Sequence, residues 1–133
     1  MNAVCYMGVG RRKKAVARVR VLECSGDSKV TVNDKTLDEY FGGLERFKKL
    51  ALKPLFVSNF KKSYNFFVNV NGGGLSGQSG AISHSLARAI LTLDETSKVV
   101  LKKEGLLTRD SRMVERKKPG RPKARKRFQF SKR

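Results

Sequence analysis

The stretch that decides the fold is FFVNVNGGGLSGQSGAISHSLARAILTL, residues 66–93. Phe66, Val68 and Val70 alternate with Phe67 and Asn69, the two-residue period of a strand with one face on a core. After a glycine-rich run from Gly72 to Gly80, the residues Ile82, Leu86, Ala89, Ile90 and Leu93 fall at steps of three and four, which predicts an amphipathic helix. Upstream, Ala15, Ala17, Val19 and Val21 alternate with Arg18 and Arg20, a strand whose outer face presents guanidiniums. Ser25-Gly26-Asp27-Ser28 supplies turn chemistry before Val30-Thr31-Val32, so an antiparallel hairpin joining these two strands is expected. Asp34 and Thr36 are candidate caps for a short helix through Tyr40 and Phe41, closed by Gly42-Gly43. Leu44, Phe47, Leu50 and Ala51 share the face of a second helix, which Pro54 is expected to stop, and Lys98–Lys103 predicts another ending at Gly105. Elements of these lengths predict a two-layer α+β body over residues 1–107 and a basic tail over 108–133 that is extended and, when free, disordered.

Charge says what kind of partner to expect. The 133 residues hold 30 Lys and Arg against 11 Asp and Glu, a formal net charge of +19. Residues 1–20 contribute +6, residues 21–107 only +3 and residues 108–133 +10, so the excess lies in two flanks of an otherwise ordinary domain. Self-repulsion of that size implies a polyanionic partner. One domain of this length excludes a two-lobed cofactor enzyme. Two cysteines, Cys5 and Cys24, and one histidine, His84, make neither a disulfide scaffold nor a four-ligand structural zinc, so no metal or cofactor is expected. No apolar run reads as a secretory signal, and the charge-free stretch Ser63–Ala87 is too rich in Asn, Gly and Ser for a membrane span.

Several motifs compete for a role. Gly72-Gly73-Gly74-Leu75-Ser76-Gly77 satisfies the dinucleotide fingerprint, but Asp94 ends the helix pattern instead of standing on a following strand, and the body is too short for two mononucleotide halves. The loop retains its physics: glycines permit close backbone approach and a helix N-terminus attracts phosphate, so Gly73, Gly74, Ser76 and Gln78 are candidate RNA contacts, weighed against plain strand-to-helix packing. His84 lacks a paired nucleophile or carboxylate and reads as a packing or surface histidine; no catalytic residue is expected. The strongest signals are Arg11-Arg12-Lys13-Lys14, Arg18 and Arg20, then Arg109 and Arg112, and the run Arg116-Lys117-Lys118-Pro119-Gly120-Arg121-Pro122-Lys123-Ala124-Arg125-Lys126-Arg127. Guanidinium forks bind phosphate and stack on bases, and the prolines are expected to keep the run extended along a nucleic-acid backbone. Gly120-Arg121-Pro122 among lysines also matches the core of an AT-hook, which makes a DNA-binding architectural protein the rival reading.

Read in order, Gly8-Val9-Gly10-Arg11-Arg12-Lys13-Lys14-Ala15-Val16-Ala17-Arg18-Val19, Val70-Asn71-Gly72-Gly73-Gly74-Leu75-Ser76-Gly77-Gln78, Leu107-Thr108-Arg109-Asp110, Val114-Glu115-Arg116-Lys117-Lys118 and Gln129-Phe130-Ser131-Lys132-Arg133 resemble the ribosomal protein S-nine family, the universal ninth protein of the small ribosomal subunit in its bacterial or organellar form. The resemblance covers essentially the whole chain. It implies a non-enzymatic α+β body with about four strands and helices on one face, like the second domain of the fifth small-subunit protein. It further implies docking on rRNA in the subunit head beside other ribosomal proteins, with Arg11, Arg12 and Lys13 in the N-terminal rRNA motif and Arg116, Lys117 and Lys118 at the base of the tail. It places Ser131, Lys132 and Arg133 at the anticodon stem-loop of peptidyl-site tRNA. Bacterial cytoplasmic or organellar ribosomes follow as the location, with no membrane and no small-molecule substrate. Ser83, Ser111 and Pro119 depart from the family pattern, where a basic residue, Pro and Tyr are expected.

Overall fold

A computed structural model describes residues 6–58 and 63–129. Its elements in chain order are β1 (Tyr6–Arg12), β2 (Ala15–Glu23), β3 (Lys29–Val32), β4 (Lys35–Thr36), α1 (Leu37–Tyr40), α2 (Glu45–Val57), β5 (Tyr64–Asn71), α3 (Leu75–Leu93), a 3-10 turn (Glu95–Ser97) and α4 (Lys98–Lys103). The strands form one sheet in the order β1-β2-β5-β3-β4. The expected α+β class is therefore present, with a two-residue β4 added to the four main strands.

One layer of side chains joins sheet to helices. Ala17, Val19 and Val21 of β2, Phe66 and Val68 of β5 and Val32 of β3 are buried against Ala81, Ile82 and Leu86 of α3, and α2 adds Ala51. Each fully buried Val, Ile, Leu or Phe contributes roughly 1.5–3 kcal/mol. Helix α3 also buries Ser79 and Ser85, whose hydroxyls donate to the carbonyls of Ser76 and Ile82 at 2.8 Å, so its small face enters the core without orphaned polar groups.

That small face meets an equally small strand. Arg88 of α3 reaches the outer edge of β1 and donates to the Val9 carbonyl at 3.0 Å. A Cβ built on Gly10 would stand 2.3 Å from the Ala81 carbonyl oxygen and 2.3 Å from the Ser85 nitrogen; one on Gly8 would stand 2.6 Å from the Ser85 oxygen. Only glycine lets α3 lie directly on the β1 backbone.

Four elements differ from the sequence reading. Strand β1 is absent from it, because Gly8 and Gly10 weaken the β pattern and the cations after them read as a binding motif with no strand period. The expected β2–β3 hairpin does not form: β5 inserts between the two strands, antiparallel to β2 and parallel to β3. The register shows why, since Val19 and Val21 of β2 pair with Val68 and Phe66, the most apolar strand available. Pro54 does not end α2, which runs to Val57; its ring is buried in the last turn, where one missing N–H is a small loss. Helix α3 begins at Leu75, so Gly77 and Gly80 lie within it, not in a loop.

The short helices follow the reading. Thr36 caps α1 by accepting from the Glu39 N–H at 3.3 Å, and Gly42 and Gly43 follow at positive φ. Gly105, at φ +72°, closes α4: its N–H bonds to the Lys102 carbonyl and that of Leu106 to Leu101, both at 3.0 Å, a Schellman cap. Asn33 and Asp34, at φ +48° and +66°, form the tight β3–β4 turn. The Asn33 amide extends the ladder, donating to the Val70 carbonyl at 2.9 Å and accepting from its N–H at 3.0 Å.

The contact of α3 with β1 is the most sensitive point of this architecture. Gly10→Ala is expected to cost about 3 kcal/mol, at the upper end of overpacking, because backbone atoms cannot swing aside. Gly26→Ala, whose Cβ would meet nothing within 4 Å, serves as the control, and urea unfolding midpoints compare the two.

Candidate nucleic-acid interface

Lys13 and Lys14 form the two-residue turn between β1 and β2, immediately after the last register pair, Arg12 with Ala15. Lys13 is held at φ +52°, a left-handed conformation costing a side-chain-bearing residue about 1–2 kcal/mol. Arg11, Lys13 and Lys14 are exposed. Gly72 packs under this tip at φ +77°, and a Cβ there would lie 2.5 Å from the Lys14 carbonyl oxygen. Close packing therefore sets the start of α3, with Gly74 as its N-cap and no capping side chain, beside the cationic turn. The first amides of α3 have no partners within the helix and carry its positive pole.

The glycine-loop candidates divide. Gly73, Gly74 and Ser76 are exposed at the tip. Gln78 is half-buried and structural: its Nε2 donates to the Gly72 carbonyl at 3.1 Å, and its Oε1 accepts a hydrogen bond from the Tyr40 hydroxyl. Burial pushes the Tyr40 pKa up and keeps that hydroxyl a donor. The dinucleotide reading fails on topology, because among the described residues no strand follows α3 to complete a parallel unit.

The base of the tail closes onto the same end of the body. Arg109 Nη2 donates to the Lys13 carbonyl at 3.5 Å. Asp110 accepts from Arg112 Nη2 at 2.7 Å and from Arg112 Nε at 3.0 Å, and lies 3.7 Å from Arg12 Nη2. The Arg112 guanidinium and backbone N–H hold the Asp110 carboxyl far below the usual carboxylate range, with Arg12 adding to the effect. Arg12 differs from its neighbours. Its side chain lies across Gly80, where a Cβ would come within 2.2 Å of Arg12 Cδ, and its Nε is buried without a hydrogen-bond partner. Of the four N-terminal cations, Arg12 thus ties the tail to α3 and the other three face solvent.

His84 is the second tie. Its Nδ1 accepts from the Arg11 N–H at 3.4 Å, so Nε2 carries the proton toward the Leu107 carbonyl at 3.3 Å. Of the two expected readings, packing or surface, the half-buried ring takes the packing one, and it bridges the edge of β1 to the tail. Burial lowers its pKa; the Leu107 bond opposes this, and the nearby Arg88 and Arg109 charges reinforce it.

Beyond Arg112 the described tail has no helix or strand. Lys118-Pro119-Gly120-Arg121 forms a turn, with Gly120 at φ +77° and the Arg121 N–H on the Lys118 carbonyl at 3.3 Å, so the chain bends where the prolines were expected to keep it extended. Glu115 accepts from Lys118 at 2.7 Å and from Arg125 at 2.9 Å, which lower its pKa. Arg121 donates to the Arg125 carbonyl at 2.9 Å. Arg116, Lys117, Lys123, Lys126 and Arg127 are exposed, as are Val114 and Phe128. Ser131, Lys132 and Arg133 lie outside the described residues, as does Cys5. Arg18 and Arg20 stand apart from the tip, on the outer face of β2. Among the described residues no group of three or more His, Cys, Asp or Glu is placed to hold a metal ion, and no helix is long and apolar enough to cross a membrane.

Sequence reasoning missed Asp110 as the organiser of the tail base. Its signal was there: it stands between Arg109 and Arg112, one of only two acids beyond residue 107.

Residues 10–133 match the model of a family described as ribosomal protein S9/S16. The chain is 55% identical over 127 residues to the small ribosomal subunit protein uS9 of Borrelia turicatae, covering 96% of this chain and 91% of that one. It is 54% identical over 132 residues to the protein of the same name in Borreliella burgdorferi, covering 99% and 95%. The class is therefore that of a ribosomal protein, a structural constituent of the small subunit and not an enzyme. The chain belongs to the ribosomal protein S9/S16 family.

The depressed His84 pKa makes stability pH-dependent. The unfolded chain binds a proton near the ordinary value of 6.5 more readily than the folded one does, so this contribution is complete above pH 6.5 and is lost as pH falls below it. Urea midpoints are expected to drop between about pH 7.5 and about pH 5.5, and to drop less in His84→Leu.

Proposed function

We propose that the chain docks on small-subunit rRNA through the cationic end of its body, and that its tail continues along the RNA to peptidyl-site tRNA. The supporting observation is convergence. Arg11, Lys13 and Lys14 at the hairpin tip, the unpaired first amides of α3 and the tail base at Arg109 and Arg112 come from three distant parts of the chain and share one end of the fold. Such an end offers guanidinium forks, ammonium charges and backbone donors to phosphates together.

The tail adds reach and charge. Arg116, Lys117, Lys118, Arg121, Lys123, Arg125, Lys126 and Arg127 supply the cations, while the exposed Val114 and Phe128 find no core to join. A segment of this composition gains its order from a polyanion. Ser131, Lys132 and Arg133 at its end are the groups assigned to the anticodon stem-loop. Membership of a ribosomal family over residues 10–133 accounts for Gly120-Arg121-Pro122 without DNA. The partners of the body are rRNA and neighbouring ribosomal proteins. The relatives are bacterial, which favours the cytoplasmic ribosome over the organellar one.

Binding of this kind is salt-dependent. If the tail neutralises about 8 phosphates, log affinity for rRNA falls with log salt at a slope near −6, and Lys13→Gln with Lys14→Gln flattens the slope of the full chain by about 1.4. A slope near zero in a filter-binding series rejects the electrostatic mechanism. Lys132→Ala with Arg133→Ala is expected to leave subunit incorporation intact and to weaken peptidyl-site tRNA retention. Undiminished retention in reconstituted subunits removes the tip from the proposal.

A further inference from the structure

The sheet face opposite α3 carries chemistry that neither the hairpin tip nor the tail uses. The register sets Arg20 of β2 opposite Phe67 of β5, and Arg18 opposite Asn69, with Thr31 of β3 on the other side of Phe67. Met7, Val9 and Arg11 continue this face on β1. The inward residues Gly10, Ala17, Val19, Val21, Phe66 and Val68 are buried beneath the helices, whereas Arg18, Arg20, Asn69 and Asn71 are exposed and Phe67 is half-buried.

Two properties set this face apart. None of its residues on β1, β2, β3 or β5 is acidic, and among the described residues the side chains of Arg18, Arg20, Asn69 and Asn71 have no hydrogen-bond partner in the protein. Asn is disfavoured in strands, yet besides the half-buried Asn65 two more, Asn69 and Asn71, stand outward on β5, in the middle of the sheet. They line a shallow basin with Val16, Arg18 and Asn33, and Asn33 has already spent its amide on Val70.

The resulting surface has two parallel rows. Arg18 and Arg20 lie along β2, two residues or about 6.6 Å apart, and Phe67, Asn69 and Asn71 lie along β5 at the same interval. Guanidiniums bind phosphates, an aromatic face stacks a base, and amides bond base edges. The second and third require bases that are unpaired and turned outward, which duplex RNA does not offer. We propose that this sheet face binds an unpaired segment of rRNA, stacking a base on Phe67, reading neighbouring base edges with Asn69 and Asn71, and holding the backbone with Arg18 and Arg20. The proposal rests on the rRNA-docking reading and adds base contacts to its phosphate contacts.

The experiment measures affinity of the full chain for a transcript of the small-subunit rRNA at several salt concentrations, with chemical probing of unpaired nucleotides. Phe67→Leu, and separately Asn69→Ala with Asn71→Ala, are each expected to weaken binding roughly tenfold, as loss of one stacked base does, with the salt slope unchanged. A nucleotide protected by the native protein should become reactive again. Arg18→Gln with Arg20→Gln is expected to flatten the slope by about 1.4. Native affinity and protection in both Phe67→Leu and the Asn pair, together with weakened binding in the Lys13, Lys14 pair, overturn the sheet-face proposal and leave hairpin docking standing. Native affinity in the lysine pair as well overturns the docking reading itself. Cross-links from this face to another ribosomal protein in place of RNA also reject the proposal.

Discussion

The structure depends on one close approach, the seating of α3 on the backbone of β1. Gly8 and Gly10 leave no Cβ between the strand and the Ala81 and Ser85 backbone, and the helix answers with a face of Gly, Ala and Ser. Because the layers touch at backbone distance, the β1–β2 turn, the loop at Gly72 and the first turn of α3 fall together at one end. The same proximity lets Arg12 lie across Gly80 and lets His84 reach both Arg11 and Leu107. A bulkier strand would lift the helix and separate all of these groups.

Charge is organised around that contact. Residues 21–107 are close to balanced and the excess sits in the flanks, yet the two acids of the tail region are both engaged by arginines: Asp110 by Arg112 and Arg12, Glu115 by Arg125 along with Lys118. The Arg112 and Arg125 side chains are exposed and that of Lys118 is half-exposed; their ion pairs contribute little to stability and exchange readily, so phosphates can take these cations without disturbing the fold, whereas the half-buried Arg12–Asp110 pair stays with the body. Asp110 then sets the direction in which the tail leaves the body. The cations beyond it have no such partner among the described residues except through Glu115, which suits a segment whose counter-charges come from RNA.

How far the fold was legible depended on whether a pattern was local. Periodicity located β2, β5 and the apolar face of α3, and cap chemistry located α1 and the end of α4, since each is written within one turn or one strand. Strand β1 was not legible, because its glycines record the nearness of α3, a segment some seventy residues away, and not any strand propensity. The β2–β3 hairpin was misread for the same reason: turn residues between two strands allow adjacency, but the apolar inner face of β5 competes for β2 and wins. Pro54 was misread because a proline in a last turn loses one hydrogen bond while its ring still fills the core.

The candidate site divides along the same line. By itself the sequence determined the class of fold, the polyanionic partner and the family, because these follow from periodicity, net charge and ordered motifs that need no third dimension. Only the tertiary structure decided which candidate contacts face solvent: Arg12 and Gln78 turned inward to hold the framework, while Arg11, Lys13, Arg18 and Arg20 stayed outside. The reason is geometric. A one-residue step along a strand carries a side chain to the opposite face of the sheet, and which face is covered depends on where a distant helix comes to rest.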